Sequence, residues 1–189
     1  MVSIWGLAIA SNTPIRWRLQ ACLLCVCLLS SGQLLAVTYL DSDKFIKISF
    51  RGEPKRHTLW LKQDLQLAAK RVLGHPYSGL RIRYWQLADR TAWILDEIGK
   101  ERPITIGIVV ERGEISDLTI LAYRESRGGE VRHPFFLNQF SGLSLNSDYS
   151  LNGIIDGVSG ATLSVRAVRN ISRFALHLHN VALAQGQKP

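Results

Sequence analysis

Between Leu80 and Tyr123 the hydrophobic period of the chain changes from helical to two, and this change limits the fold more than any other feature. Arg81-Ile82-Arg83-Tyr84-Trp85 alternates polar and apolar, Arg90 to Leu95 is rich in β-formers, Ile104 to Val110 is rich in β-branched apolar residues, and Ile115 to Tyr123 alternates again. Gly99-Lys100-Glu101 and Glu111-Arg112-Gly113-Glu114 fall between these runs as turns. Consecutive strands with such short connections form an antiparallel meander, and one face of it needs an apolar cover.

Two amphipathic helices can supply that cover. Leu61, Leu65, Ala68, Ala69 and Val72 recur at helical spacing and predict a helix over Thr58 to Leu73, with Thr58 capping its start and Gly74 its end. Leu163, Ala167, Ile171, Phe174 and Leu178 predict a second helix from about Thr162 to Val181. The expected fold is therefore α+β: a twisted antiparallel sheet covered by an N-terminal amphipathic helix and a C-terminal helix. Asp41 to Phe50 carries both helix and strand signals, residues 37–79 are expected to be a helical region before a domain of 80–183, and a tail of 184–189 is expected to be disordered.

The first 36 residues differ from the rest. They hold no acidic residue, arginines at Arg16 and Arg18, and an apolar run from Leu19 to Leu29 ahead of the small residues Ser30, Ser31, Gly32 and Ala36. This pattern reads as an export signal; uncleaved, the stretch to about Val37 would serve as a membrane anchor. The expected location is the periplasm, or the periplasmic face of the cytoplasmic membrane. Cys22, Cys25 and Cys27, all the cysteines of the chain, lie inside the run, away from the polar folded setting that redox or zinc chemistry requires. The net charge of +8 is spread along the chain without a basic stripe, which argues against nucleic acid.

Just before the last helix stands Asp156-Gly157-Val158-Ser159-Gly160-Ala161-Thr162. A small-residue loop that feeds a helix N-terminus offers free N–H groups and the positive end of a dipole, so it suits a phosphate. A Walker-type loop is excluded, because Gly-x-x-x-x-Gly-Lys-Ser/Thr is absent from the chain. A nucleophile elbow at Ser159 lacks a base: the downstream histidines, His177 and His179, lie far along the same helix. The plainest alternative is a helix start capped by Ser159 or Thr162, in an exported module that binds a partner and does no chemistry.

Asp-x-x-Ser-Gly-Ala-Thr before an apolar-striped helix resembles the flavinylation motif of FMN-binding domains, found in subunits of the sodium-pumping NADH:quinone reductase, in Rnf-type complexes and in stand-alone exported proteins. The resemblance implies FMN attached through its phosphate to Thr162, with Asp156, Ser159, Gly160 and Ala161 on the other motif positions. It also implies a flavin transferase that installs FMN from FAD with magnesium. The implied function is electron relay between a membrane or periplasmic donor and an acceptor, such as a cytochrome or a reductase. Arg124 to Glu130, which includes Glu125 and Gly128, together with Phe140-Ser141-Gly142, looks like the segment near the flavin in stand-alone members. Arg166, one turn past Thr162, could reach the phosphate; Glu125 could bond the isoalloxazine, or else pair with a neighbouring arginine.

Overall fold

The structure is a computed structural model that describes residues 37–186. The leader 1–36, on which the export reading rests, and the last three residues lie outside the described residues. The elements are β1 (Val37–Thr38), α1 (Ser42–Ser49), β2 (Lys55–Trp60), α2 (Gln63–Leu73), β3 (Arg81–Leu87), β4 (Arg90–Ile98), β5 (Pro103–Glu111), β6 (Glu114–Tyr123), α3 (Pro134–Leu137) and α4 (Thr162–Gly186), with short 3-10 turns at Gly129–Arg132 and Asn138–Phe140. All strands join one antiparallel sheet in the order β1-β6-β5-β4-β3-β2. The α+β expectation holds, with the meander β3 to β6 at its centre.

Three expectations are corrected. Thr58 does not cap a helix: it pairs with Arg83 inside β2, and α2 begins five residues later at Gln63. Residues 37–79, expected to be helical, thus supply both edge strands of the sheet as well as α1 and α2. The last helix, expected to end near Val181, runs on to Gly186, so Ala184 to Gly186 belong to it and not to a tail.

The sheet separates two apolar layers. On one face α2 and α4 bury Leu65, Ala69, Val72, Val168, Ile171, Phe174 and Leu178 against Trp93, Leu95, Ile104, Ile106 and Ile108. On the other face α1 lays Phe45, Ile46 and Phe50 on Ala92, Val109 and Leu121. Asp41 caps α1 through its carboxylate, which accepts from the N–H groups of Asp43 and Lys44. Gly107 makes the close approach possible: a Cβ there would lie 2.7 Å from the Phe45 ring. Along β4 the inward row on the α4 face is Thr91, Trp93, Leu95 and Glu97, so the strand carries one carboxylate into a mostly apolar layer.

Candidate flavin site

The N-terminus of α4 opens on a cleft of about 570 Å³, lined by Lys100 and Glu101 from the β4–β5 turn, Glu125 to Arg127 from the loop after β6, and Gly160 to Ser164. Pockets of roughly 300–1,000 Å³ take cofactor-sized ligands. The local sequence builds this opening. Ala161 N–H donates to the Val158 carbonyl at 3.0 Å and closes a tight turn, Gly160 within it has φ +77°, and the Ala161 carbonyl accepts the first helical bond from Val165 at 2.9 Å.

Ala161 therefore occupies the capping position, and it has no side-chain oxygen to offer. Among the described residues no side chain bonds to the N–H groups of Thr162, Leu163 or Ser164, so neither Ser159 nor Thr162 caps the helix. A free helix N-terminus attracts an anion, and a singly charged phosphodiester there gains ~0.3–1 kcal/mol at an exposed site. Thr162 is solvent-exposed and its hydroxyl makes no hydrogen bond among the described residues, so it is open to modification.

The loop after β6 is fixed to this helix start. The buried Tyr123 hydroxyl donates to the Arg127 carbonyl at 2.6 Å and lies 2.9 Å from Ser164 Oγ. Burial pushes the Tyr123 phenol above its ordinary range, so it stays protonated and able to donate. Gly128, at φ +78°, packs so closely that a Cβ would meet Ser164 Oγ and Tyr123 Oη at 3.1 Å and Ala161 Cβ at 3.2 Å.

Among the described residues Glu125 forms no ion pair with a neighbouring arginine. One of its oxygens accepts from the backbone N–H groups of Lys100, Glu101 and Arg102 at 2.5, 2.7 and 2.9 Å, so it holds the tip of the β4–β5 hairpin. Desolvation would raise its pKa, but the three N–H groups hold the carboxyl below its ordinary range. The cations it leaves in the cleft are Lys100 and Arg127, both exposed; Lys100 Nζ lies 3.3 Å from Glu101 in a solvent-facing pair that is worth little.

The structure thus brings Thr162, Gly160, Ala161 and Glu125 together around one opening, with Gly128 packed behind it against Ala161 and Ser164. Ser159 and Asp156 are exposed in the preceding loop and do not line the cleft; Asp156 is held by its backbone, which donates to Gln139 Oε1 at 2.7 Å. Arg166 is exposed, does not line the cleft, and places its charge near Glu97. Lys100, Arg127, Tyr123 and Ser164 were not singled out from the sequence. Their roles depend on the hairpin tip, the loop and the helix start meeting, which no local spacing records.

Residues 99–177 match the family model of the FMN-binding domain, from the hairpin tip through the cleft to the second half of α4. This segment is similar to the FMN-binding domain family. No curated protein matches the chain. The match supports flavin binding by this segment, with FMN as the cofactor.

Proposed function

We propose that the FMN is covalent, joined by a phosphoester to Thr162, and that the domain relays electrons outside the cytoplasm. The observation that carries this reading is the exposed Thr162 hydroxyl on the first turn of a helix whose leading N–H groups no side chain among the described residues caps. In the attachment a flavin transferase moves the FMN moiety of FAD to Thr162: the Thr162 oxygen bonds to phosphorus, its proton leaves, and AMP departs. The helix N-terminus, with Lys100 and Arg127 at the rim of the cleft, favours the charge that the diester keeps.

Bound flavin supplies one- and two-electron chemistry, and the protein supplies position and tuning. A covalent cofactor suits an exported protein, since a helix dipole contributes too little to hold a flavin by itself. The electron donor and acceptor are membrane or periplasmic partners, a cytochrome or a reductase among them. Intact-mass analysis after co-expression with a flavin transferase and FAD is expected to show one added FMN, with tandem fragmentation placing it on Thr162. An unmodified mass under those conditions counts against the covalent reading. N-terminal sequencing of exported protein tests the leader, with a start near Val37 expected.

A further inference from the structure

The sheet face on which α1 lies is left open over β2 and β3, and that part of it is basic. Ile82 and Tyr84 point into the layer under α2 and α4, so Arg81, Arg83 and Trp85 point the other way. Trp85 accordingly packs at the edge of the α1 cluster. Directly paired residues of antiparallel strands share a face, so Arg56, Thr58 and Trp60 stand beside Trp85, Arg83 and Arg81. Three exposed arginines thus fall on neighbouring positions of one face, Arg56 diagonal to Arg83 and Arg83 two residues from Arg81.

The three meet at a cleft. The β3–β4 ladder runs from Leu87–Arg90 to Tyr84–Trp93 and stops, and Tyr77, whose hydroxyl accepts from the Asp96 N–H at 3.3 Å, stands beside β4 beyond that point. The opening on this side is about 430 Å³ and is lined by Arg56, Arg81 and Arg83, by the hydroxyl-bearing Ser42 and Ser78, and by Asp43. It shares no lining residue with the cleft at Thr162. Among the described residues none of the three arginines is in an ion pair, so three guanidiniums face the single carboxylate of Asp43, a surplus of two positive charges. Like charges on neighbouring cross-strand positions repel, and a bound anion relieves that repulsion.

The donor set selects among anions. Arg81 lies over the Trp60 ring, 6.0 Å from its centroid, so the face of its guanidinium is taken and its N–H edge is left for an acceptor. One arginine fork already satisfies the two oxygens of a carboxylate, whereas several forks with two serine hydroxyls match the larger acceptor set of a phosphate group. We propose that this cleft is an anion site apart from the flavin cleft and that it binds a phosphate ester, with Arg56, Arg81 and Arg83 as its clamp and Ser42 and Ser78 as hydroxyl donors. The site stands whether or not FMN is carried at Thr162. Its phosphate belongs either to a soluble ester or to a phospholipid headgroup, and the test separates the two.

The full chain is titrated with glycerol 3-phosphate by calorimetry, and its co-sedimentation is compared between vesicles of phosphatidylcholine alone and vesicles with phosphatidylglycerol added. Binding of glycerol 3-phosphate marks a soluble ester. Binding to phosphatidylglycerol vesicles in excess of phosphatidylcholine, without binding of glycerol 3-phosphate, marks a headgroup. In either case the affinity should fall about tenfold or more in Arg81→Gln and in Arg83→Gln, with circular dichroism unchanged, because each removes a charged donor from an exposed position. Arg112→Gln, which alters the Asp89 pair on the β5–β6 turn, should leave it unchanged. Failure of both probes to bind overturns the site, and so does binding that persists at full affinity in the folded Arg81→Gln and Arg83→Gln variants. Binding of polyglutamate alone overturns it as well, and makes this face a dock for an acidic protein.

Discussion

The Tyr123 hydroxyl stands 2.9 Å from Ser164 Oγ, so the last residue of β6 is joined to the first turn of α4 across 41 positions of sequence. The same hydroxyl donates to the Arg127 carbonyl, and one phenol therefore holds sheet, loop and helix start in register. Tyr123→Phe removes both bonds and keeps the ring. It should lower stability by about 1–3 kcal/mol, because buried partners are left unsatisfied. Equilibrium urea denaturation at neutral pH measures the loss, and an unchanged midpoint would mean that the loop is held by packing alone.

Thr162→Ala should abolish covalent flavin and change the stability of the unmodified chain by less than about 0.5 kcal/mol, since Thr162 is exposed and does not cap α4. Ser159→Ala should retain the flavin. In-gel flavin fluorescence after denaturation reads the attachment, and circular dichroism reads the fold. Fluorescence persisting in folded Thr162→Ala moves the bond to another residue.

Glu125→Ala should release the tip of the β4–β5 hairpin. Three backbone donors lose one charged acceptor, and the site is open enough to solvent that the cost is discounted to about 1 kcal/mol. The native carboxyl is held below its ordinary range, so its contribution is present above the unfolded-state pKa and is lost as pH falls through the lower folded value. Hydrogen exchange at Lys100, Glu101 and Arg102 should speed up in the variant, while the centre of β5 stays protected.

His179 gives a pH dependence of larger size. It is fully buried, its Nε2 accepts from the Gly113 N–H at 3.3 Å, and its Nδ1 lies 2.8 Å from Thr91 Oγ1, which also accepts from Trp93 Nε1. An accepting Nε2 requires the neutral ring, and burial lowers its pKa from 6.5 to about 4. The unfolded chain thus binds the extra proton first. Stability should fall as pH drops from about 6.5 toward 4, by up to roughly 3 kcal/mol. His75 has its folded pKa raised instead, by the bond to Glu97, and contributes in the opposite sense: its share is present at low pH and is lost as pH rises. His179→Asn should flatten the slope between pH 6.5 and 4 in a urea-unfolding series.

What the sequence made legible follows from which faces are buried. β3 to β6 alternate because one side meets α2 and α4, and α4 shows its stripe because one side lies on the sheet. β2 was hidden because only Leu59 of its six residues is buried, so there was no alternation to see, and Leu59 and Leu61 merged with the helical pattern that follows. In Asp41 to Phe50, Ile46, Ile48 and Phe50 suited a strand; the structure leaves Ile48 63% exposed, as a helix requires. At the site, Thr162 and the small residues before it are contiguous and could be read directly. Glu125 could not be assigned, because its partners are backbone groups more than twenty residues earlier and carry no side-chain signature.

Val37, the first described residue, already pairs with Tyr123 in the sheet, and Tyr39 N–H donates to the Leu121 carbonyl at 2.8 Å. Tyr123 is also the residue whose hydroxyl meets Ser164 on the first turn of α4. One short edge strand and one phenol therefore form a single lever between the beginning of the described domain and Thr162: a pull that peels β1 from β6 would be felt first at the helix start.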